Sequence, residues 1–294
     1  MKKLDIPTYD DTQIIRDLSE NSRLSGTSYP HLRNELTLIR AAYTDYVTQT
    51  GNAWNITDVL ISDSLKTGLV KNYNDPPKLL SFIKELRDSS PDICPMCGSA
   101  KTGTLDHLLP KDNYPQWSVF SKNLVPACDC NLKRKEVLKG DVIKQERVLH
   151  PYFDNCMADR QLSCLITSTD NFRVVDIQIS YVNRAEPQLD SIKFHVEKVI
   201  KPSGVIKWLE NEWLKIRKRP SNQIQTIPLN SFNSIDELRG YLHDSLTRHD
   251  ASKGTPNNWN SILIHGIMNS PGVVEWLLDR HNGIIDGSID PLVD

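Results

Sequence analysis

The chain lacks the features that would place it in a membrane or in a disulfide-stapled secreted class. No apolar run approaches the 18 or so residues that a spanning helix needs. The start, Met1-Lys2-Lys3-Leu4-Asp5-Ile6-Pro7, turns acidic before a signal-type apolar stretch forms. Cysteine is sparse, six in 294 residues, far below the density of a secreted disulfide scaffold. Charge of neither sign is in excess: 35 Lys and Arg against 37 Asp and Glu leave −2. Overall field therefore identifies no nucleic-acid binder, and such a partner must be met by a local patch. Internal repeats, long low-complexity tracts, a P-loop and a helix-turn-helix reader are all missing from the sequence. What is left is a globular, cytoplasmic chain with no membrane contact, 38% apolar and with room for about two domains.

Periodicity divides the chain into three regions. Residues 1–90 read as a helical N-terminal region. Leu32, Leu36, Ile39, Tyr43 and Tyr46 fall on one helix face before Gly51, and Asp75 stands as a cap before Pro76, Pro77 and the stripe Leu79, Ile83, Leu86. Residues 91–150 change character, with Cys, His, Asn and Lys replacing long apolar runs. Residues 151–294 open with a β-hairpin, Leu162 to Ile166 and Arg173 to Tyr181. Helices follow, with a break at Pro202-Ser203-Gly204 and a stripe of Val205, Trp208, Leu209, Trp213 and Ile216. A capping box from Ser234 to Glu237 and the stripes Trp259, Ile262, Leu263, Ile267 and Val274, Leu277 complete the region. The expected class is α+β.

Chemistry concentrates between Cys94 and Lys135. Cys94-Pro95-Met96-Cys97 is a CxxC knuckle able to reach one tetrahedral Zn²⁺, and Cys128 with Cys130 can complete a four-cysteine structural site. Asp106-His107 sets a hard oxygen ligand beside an imidazole that titrates near neutrality. Asn123-Leu124-Val125-Pro126-Ala127 reads as a short strand running into the second cysteine pair. After it come Asn131, an amide oxygen at a helix start, and the basic run Lys133, Arg134, Lys135. Each signal alone has a bland reading, such as a hydrogen-bonded Asp-His pair or a solvated helix face. From Cys94 to Arg147 nine Lys and Arg face six Asp and Glu, a local balance of +3. A second basic run, Lys215, Arg217, Lys218 and Arg219, complements a helix C-terminus. Cys156 and Cys164 read as small buried hydrophobes, His150 in His150-Pro151-Tyr152-Phe153-Asp154 as structural, and Trp208 and Trp213 as core. Tyr114-Pro115-Gln116-Trp117 lies where a substrate groove would be shaped.

In order, CxxC, Asp-His, Asn-Leu-Val, Cys, Cys-Asn and Lys resemble the HNH, or ββα-metal, nuclease family over about 45 of the 294 residues. The resemblance implies a small ββα-metal core with a zinc knuckle, flanked by helical regions. It implies Asp106 and Asn131 as ligands of a catalytic Mg²⁺ or Mn²⁺, His107 as general base, and Asn123 as the residue that holds loop and base in position. Lys133, Arg134 and Lys135 would hold backbone phosphates of DNA. One departure stands out: the family's CxxC before the final Asn is here Cys128-Asp129-Cys130, with Ala127 at the place of the first cysteine. The last zinc donor is thus open between Cys128, His150 and Cys156. The layout is also similar to HNH effectors of anti-phage systems of the Septu or retron-associated kind, which implies an endonuclease licensed by a separate ATPase partner of the ABC or SMC-like type. The competing reading is a non-catalytic, zinc-stabilised module that docks nucleic acid or protein. Such a module needs the cysteines but not Asp106, His107 and Asn131 together.

Overall fold

Helix α1 (Asp11–Glu20) starts where the Asp10 carboxylate accepts the Gln13 amide. Helix α2 (His31–Thr48) buries Leu32, Ile39, Tyr43 and Tyr46 on the face expected from their spacing. Ser62 caps α3 (Asp63–Asn74), whose stripe of Leu65 and Leu69 is too sparse among polar residues to stand out in sequence. Asp75, expected to open the next helix, closes α3 instead: its amide bonds the Lys71 carbonyl. A residue before proline is steered away from helical backbone. The chain passes Pro76 and Pro77 and a 3₁₀ turn at Lys78–Leu80 before α4 (Phe82–Asp88).

The central stretch forms a two-stranded antiparallel sheet, β1 (Thr104–His107) with β2 (Leu124–Ala127), followed by the short helix α5 (Cys130–Arg134). Asp106 pairs with Val125 and His107 with Leu124. A second antiparallel pair, β3 (Leu162–Thr167) with β4 (Asp176–Tyr181), is the expected hairpin. Its second strand begins three residues later than read, because Asn171 and Phe172 take positive φ and the Ser168 hydroxyl and Asp170 carboxylate tie up this turn. Next come α6 (Leu189–His195), continued by a π-helical turn at Val196–Ile200, then α7 (Val205–Lys218) and α8 (Pro220–Gln223). The chain continues through α9 (Ile235–Lys253), α10 (Trp259–Asn269) and α11 (Val273–Ile285). At α9 the Ser234 hydroxyl accepts the Glu237 amide, and the Glu237 carboxylate reaches back to the Asn233 amide rather than to that of Ser234.

This computed structural model describes residues 1–292 and shows an α+β fold with two apolar cores. One core joins α1–α4 to Leu105, Leu109, Trp117, Phe120 and Leu124. The other joins the four knuckle cysteines, Val125 and Ala127 to β3, β4 and α6–α11. The small sheet lies between them, so the central region shares its two faces with its neighbours. Burial of all four residues of β2, and of Leu105 and His107 on one face of β1, is what fixes these short strands. Among the described residues no helix is long and apolar enough to cross a membrane.

Candidate metal and catalytic site

Cys94, Cys97, Cys128 and Cys130 are buried, and their sulfurs lie within 4.8 Å of one another. Cys94 and Cys130 are 3.7 Å apart, Cys97 and Cys128 3.5 Å. A tetrahedral ion with metal–sulfur bonds of about 2.3 Å holds its sulfurs roughly 3.8 Å apart, so the set can hold a metal such as zinc. Bonds with neighbouring thiols divide the group: they pull Cys97 well below its ordinary range and Cys128 down to about 6, and push Cys94 and Cys130 up. The Cys128 amide donates to Cys94 Sγ and the Cys130 amide to Cys128 Sγ, so the tighter Cys-Asp-Cys spacing closes the ring. Cys128 therefore belongs to the cluster, and His150 and Cys156 stand outside it.

The rest of the chain clamps the knuckle. Gly98 has φ +81°, and a Cβ there would come within 2.4 Å of the Asn257 carbonyl. Trp259 Nε1 donates to the Cys97 carbonyl at 2.8 Å. His195 Nδ1 accepts the Leu149 amide, which places the ring proton on Nε2, and that group donates to the Met96 carbonyl at 2.7 Å.

His107 sits at the end of β1, 3% exposed. Its Nε2 lies 2.8 Å from the Ser118 carbonyl, which can only accept, so the proton is on Nε2 and Nδ1 keeps a free lone pair. Burial lowers its pKa to about 4, which keeps the imidazole neutral at ordinary pH. Tyr73 from α3 meets the ring edge-on at 4.3 Å and donates its hydroxyl to the Leu105 carbonyl. Asp106 accepts its neighbour's amide at 2.7 Å. Burial raises the pKa of this carboxyl, against the opposing pull of the His107 amide, Arg134 and Lys111.

Asn123 uses its whole amide. Its Oδ1 accepts the Leu109 amide and the Tyr46 hydroxyl, and its Nδ2 donates to the Leu109 and Trp117 carbonyls. Both ends of the loop that carries the Ser118 carbonyl are thereby tied to one side chain. The bond order behind it follows from donors that cannot change role. The Tyr152 amide donates to His150 Nδ1, so neutral His150 carries its proton on Nε2 and donates to the Tyr46 oxygen, 3.1 Å away. The Tyr46 proton then goes to Asn123 Oδ1 at 3.0 Å. Burial holds His150 at a pKa of about 3, and Asp154, paired with Arg147 at 2.6 and 2.7 Å, accepts the His150 amide. The structural reading of His150-Pro151-Tyr152-Phe153-Asp154 thus acquires a purpose: this turn anchors the chain of bonds that ends on the His107 loop.

Asn131 is the second residue of α5 and is 6% exposed; its Oδ1 accepts Arg134 Nε at 3.0 Å. Arg134 also donates to the Val137, His107 and Leu108 carbonyls. Its assignment to backbone phosphates needs correction. The guanidinium is buried and joins α5 to the end of β1, because carbonyls left over at the strand end need donors that a buried arginine supplies. Lys133 is exposed and ion-paired with Asp129 at 2.8 Å, and Lys135 is exposed. Trp117, expected to shape a groove, is fully buried and donates to the Ala42 carbonyl. Trp213 is fully buried as read, while Trp208 is only partly so.

Sequence reasoning missed Tyr73, Tyr46, His195 and Asp11 as parts of the site. Asp11 holds the Ser121 amide, the Ser121 hydroxyl and the Lys122 ammonium just ahead of Asn123. Tyr46 was visible only as one more member of an apolar stripe, and nothing local marks the other three.

No family model matches the chain, and no solved structure matches it. It is similar to Protein ea31 of Escherichia phage lambda, 36% identical over 103 residues, an alignment covering 34% of this chain and 33% of that protein. The match thus spans about a third of the relative's length.

Proposed function

We propose that the chain is a divalent-metal-dependent endonuclease of the HNH, ββα-metal type that hydrolyses phosphodiester bonds of DNA in the cytoplasm. The observation that carries this reading is the geometry of His107, whose Nε2 is committed to the Ser118 carbonyl and whose Nδ1 is free to accept a proton. The β1–β2–α5 order, with Asp106 and His107 on the first strand and Asn131 in the first turn of the helix, supports it. In the reaction, a water oxygen bonds to phosphorus while His107 Nδ1 takes its proton. The bond from phosphorus to the leaving sugar oxygen breaks, and that oxygen takes a proton from solvent. Asn123 is a positioning residue, since it fixes the loop whose Ser118 carbonyl orients the imidazole. Asp106 and Asn131 would hold Mg²⁺ or Mn²⁺: Asp106 has an oxygen beyond the one on the His107 amide, and Asn131 Oδ1 a second lone pair. Such an ion would supply charge stabilisation to the phosphoryl group and the leaving oxygen. Lys133 and Lys135 meet the phosphates, and the knuckle holds a structural Zn²⁺. On the family resemblance, the setting is a bacterial anti-phage system in which an ATPase partner licenses cleavage.

The experiment is plasmid cleavage by the zinc-loaded chain, alone and with an ATPase encoded beside it, in Mg²⁺, Mn²⁺ or EDTA. Nicking in either metal that is lost in EDTA and in Asp106→Ala is the expected result. Intact plasmid under every condition would overturn the reading. One observation favours a non-catalytic zinc-stabilised binding module instead: the Arg134 guanidinium already bonds Asn131 and lies close enough to Asp106 to oppose the upward shift that burial gives its pKa. On that reading an internal cation takes the metal's place.

A further inference from the structure

A cavity of about 380 Å³ opens between the knuckle and the C-terminal helices. Its walls are of two kinds. Trp208 on α7 and Trp259 at the start of α10 stand with ring centres 5.6 Å apart, both partly buried. Trp259 is fixed by its bond to the Cys97 carbonyl, so that face is rigid and inherits its position from the cysteine cluster. Around the aromatic pair stand Lys101, Lys133 and Lys207, against one acid, Asp129. Lys133 is engaged by Asp129, but the exposed ammonium groups of Lys101 and Lys207 have no acceptor among the described residues. The amide of Asn211 adds a group that can both donate and accept.

We propose that this cavity binds a nucleotide unit, with its base on one face of the tilted Trp208–Trp259 pair and its phosphate on Lys101 and Lys207. An inorganic anion would leave the open face of the indole pair uncovered, and an apolar ligand would leave two unpaired ammonium groups at the rim. A flat base joined to a phosphate uses both. Base–indole stacking tolerates every base, and ammonium groups hold phosphate without reading sequence. The volume lies in the range of small-molecule pockets. The cavity wall includes Cys128, Asp129 and Lys133, which flank Asn131, so a strand seated here continues past the opening of α5. That the nucleotide belongs to the strand being cut rests on the nuclease reading; that the cavity takes a nucleotide does not.

The test is quenching of intrinsic tryptophan fluorescence by an eight-residue oligothymidylate and, separately, by free thymidine monophosphate. Wild type is compared with Trp208→Leu and with Lys207→Gln, the second being an exposed position that leaves folding untouched. Losing one stacked base weakens binding by roughly 5- to 150-fold, and that loss is expected in Trp208→Leu. Lys207→Gln is expected to flatten the salt dependence of oligonucleotide binding. Quenching by both probes identifies a nucleotide pocket, and quenching by the oligonucleotide alone identifies a strand site; either supports the proposal. Quenching by neither, or binding equal to wild type in both variants, overturns it. His107→Ala is expected to bind the oligonucleotide like wild type, so failure of the nuclease reading shows in cleavage while failure of the pocket shows in quenching.

Discussion

Two tyrosines one helical turn apart on α2 should respond in opposite ways to loss of a single oxygen. Both hydroxyls are buried. That of Tyr46 stands between His150 Nε2 and Asn123 Oδ1, whereas that of Tyr43 has no partner among the described residues. In Tyr46→Phe the Asn123 oxygen keeps the Leu109 amide and His150 keeps the Lys122 backbone carbonyl beside it, but the bonds of the hydroxyl to His150 Nε2 and to Asn123 Oδ1 are lost. Two buried hydrogen bonds lost at about 0.5–1.5 kcal/mol each cost about 1–3 kcal/mol. For a chain of this size each kcal/mol moves Tm by about 2–4 °C, so Tyr46→Phe should melt roughly 2–12 °C below wild type. Tyr43→Phe removes an unsatisfied hydroxyl and should melt at or above wild type. Thermal unfolding followed by circular dichroism decides the matter, and equal melting of the two variants would refute the bond order derived for His150, Tyr46 and Asn123.

Other predictions follow from the same geometry. Chelation of the knuckle metal should unfold the α5 side of the sheet, because the cluster ties Cys94 and Cys97 to Cys128 and Cys130; metal analysis should give one zinc per chain, lost in Cys97→Ser. Gly51→Ala should destabilise by more than a surface substitution does, since φ is +66° and the new Cβ would lie 2.3 Å from the His150 ring; an unchanged Tm would contradict this. His150 and His195 are both held at about 3 by burial, below the unfolded value of 6.5. The unfolded chain therefore binds their protons first, and the stability they confer is complete above pH 6.5 and falls as pH drops towards 3. At about 1.4 kcal/mol per pH unit for each, denaturant unfolding should show about 2–3 kcal/mol less stability at pH 5.5 than at pH 7.5.

The long amphipathic helices, the hairpin and the cysteine pairs were legible because each is signalled by its own neighbours: a stripe at helical spacing, alternation on a strand, two thiols within a turn. Ser234 could be read as a cap for the same reason. Helix α3 was not, since its apolar stripe is thin and its reason for being helical lies in what it packs against. Asp75 was misplaced because a residue before proline closes one helix as readily as it announces another. In the site, Asp106, His107, Asn123 and Asn131 were visible as an ordered pattern. What holds them was not: Arg134, read as a surface cation, is buried beneath them, and Tyr46, Tyr73 and His195 arrive from distant parts of the chain through packing alone. The Cys-Asp-Cys spacing left the fourth metal donor open until the backbone amides of Cys128 and Cys130 showed how it closes.

Cleavage of supercoiled plasmid and of a single-stranded oligonucleotide in Mg²⁺, by wild type and by His107→Ala matched for zinc content and melting temperature, tests the central claim most directly. The account predicts a loss of at least about 100-fold in the variant, the contribution of a positioned general base. Equal cleavage by the two proteins would contradict it.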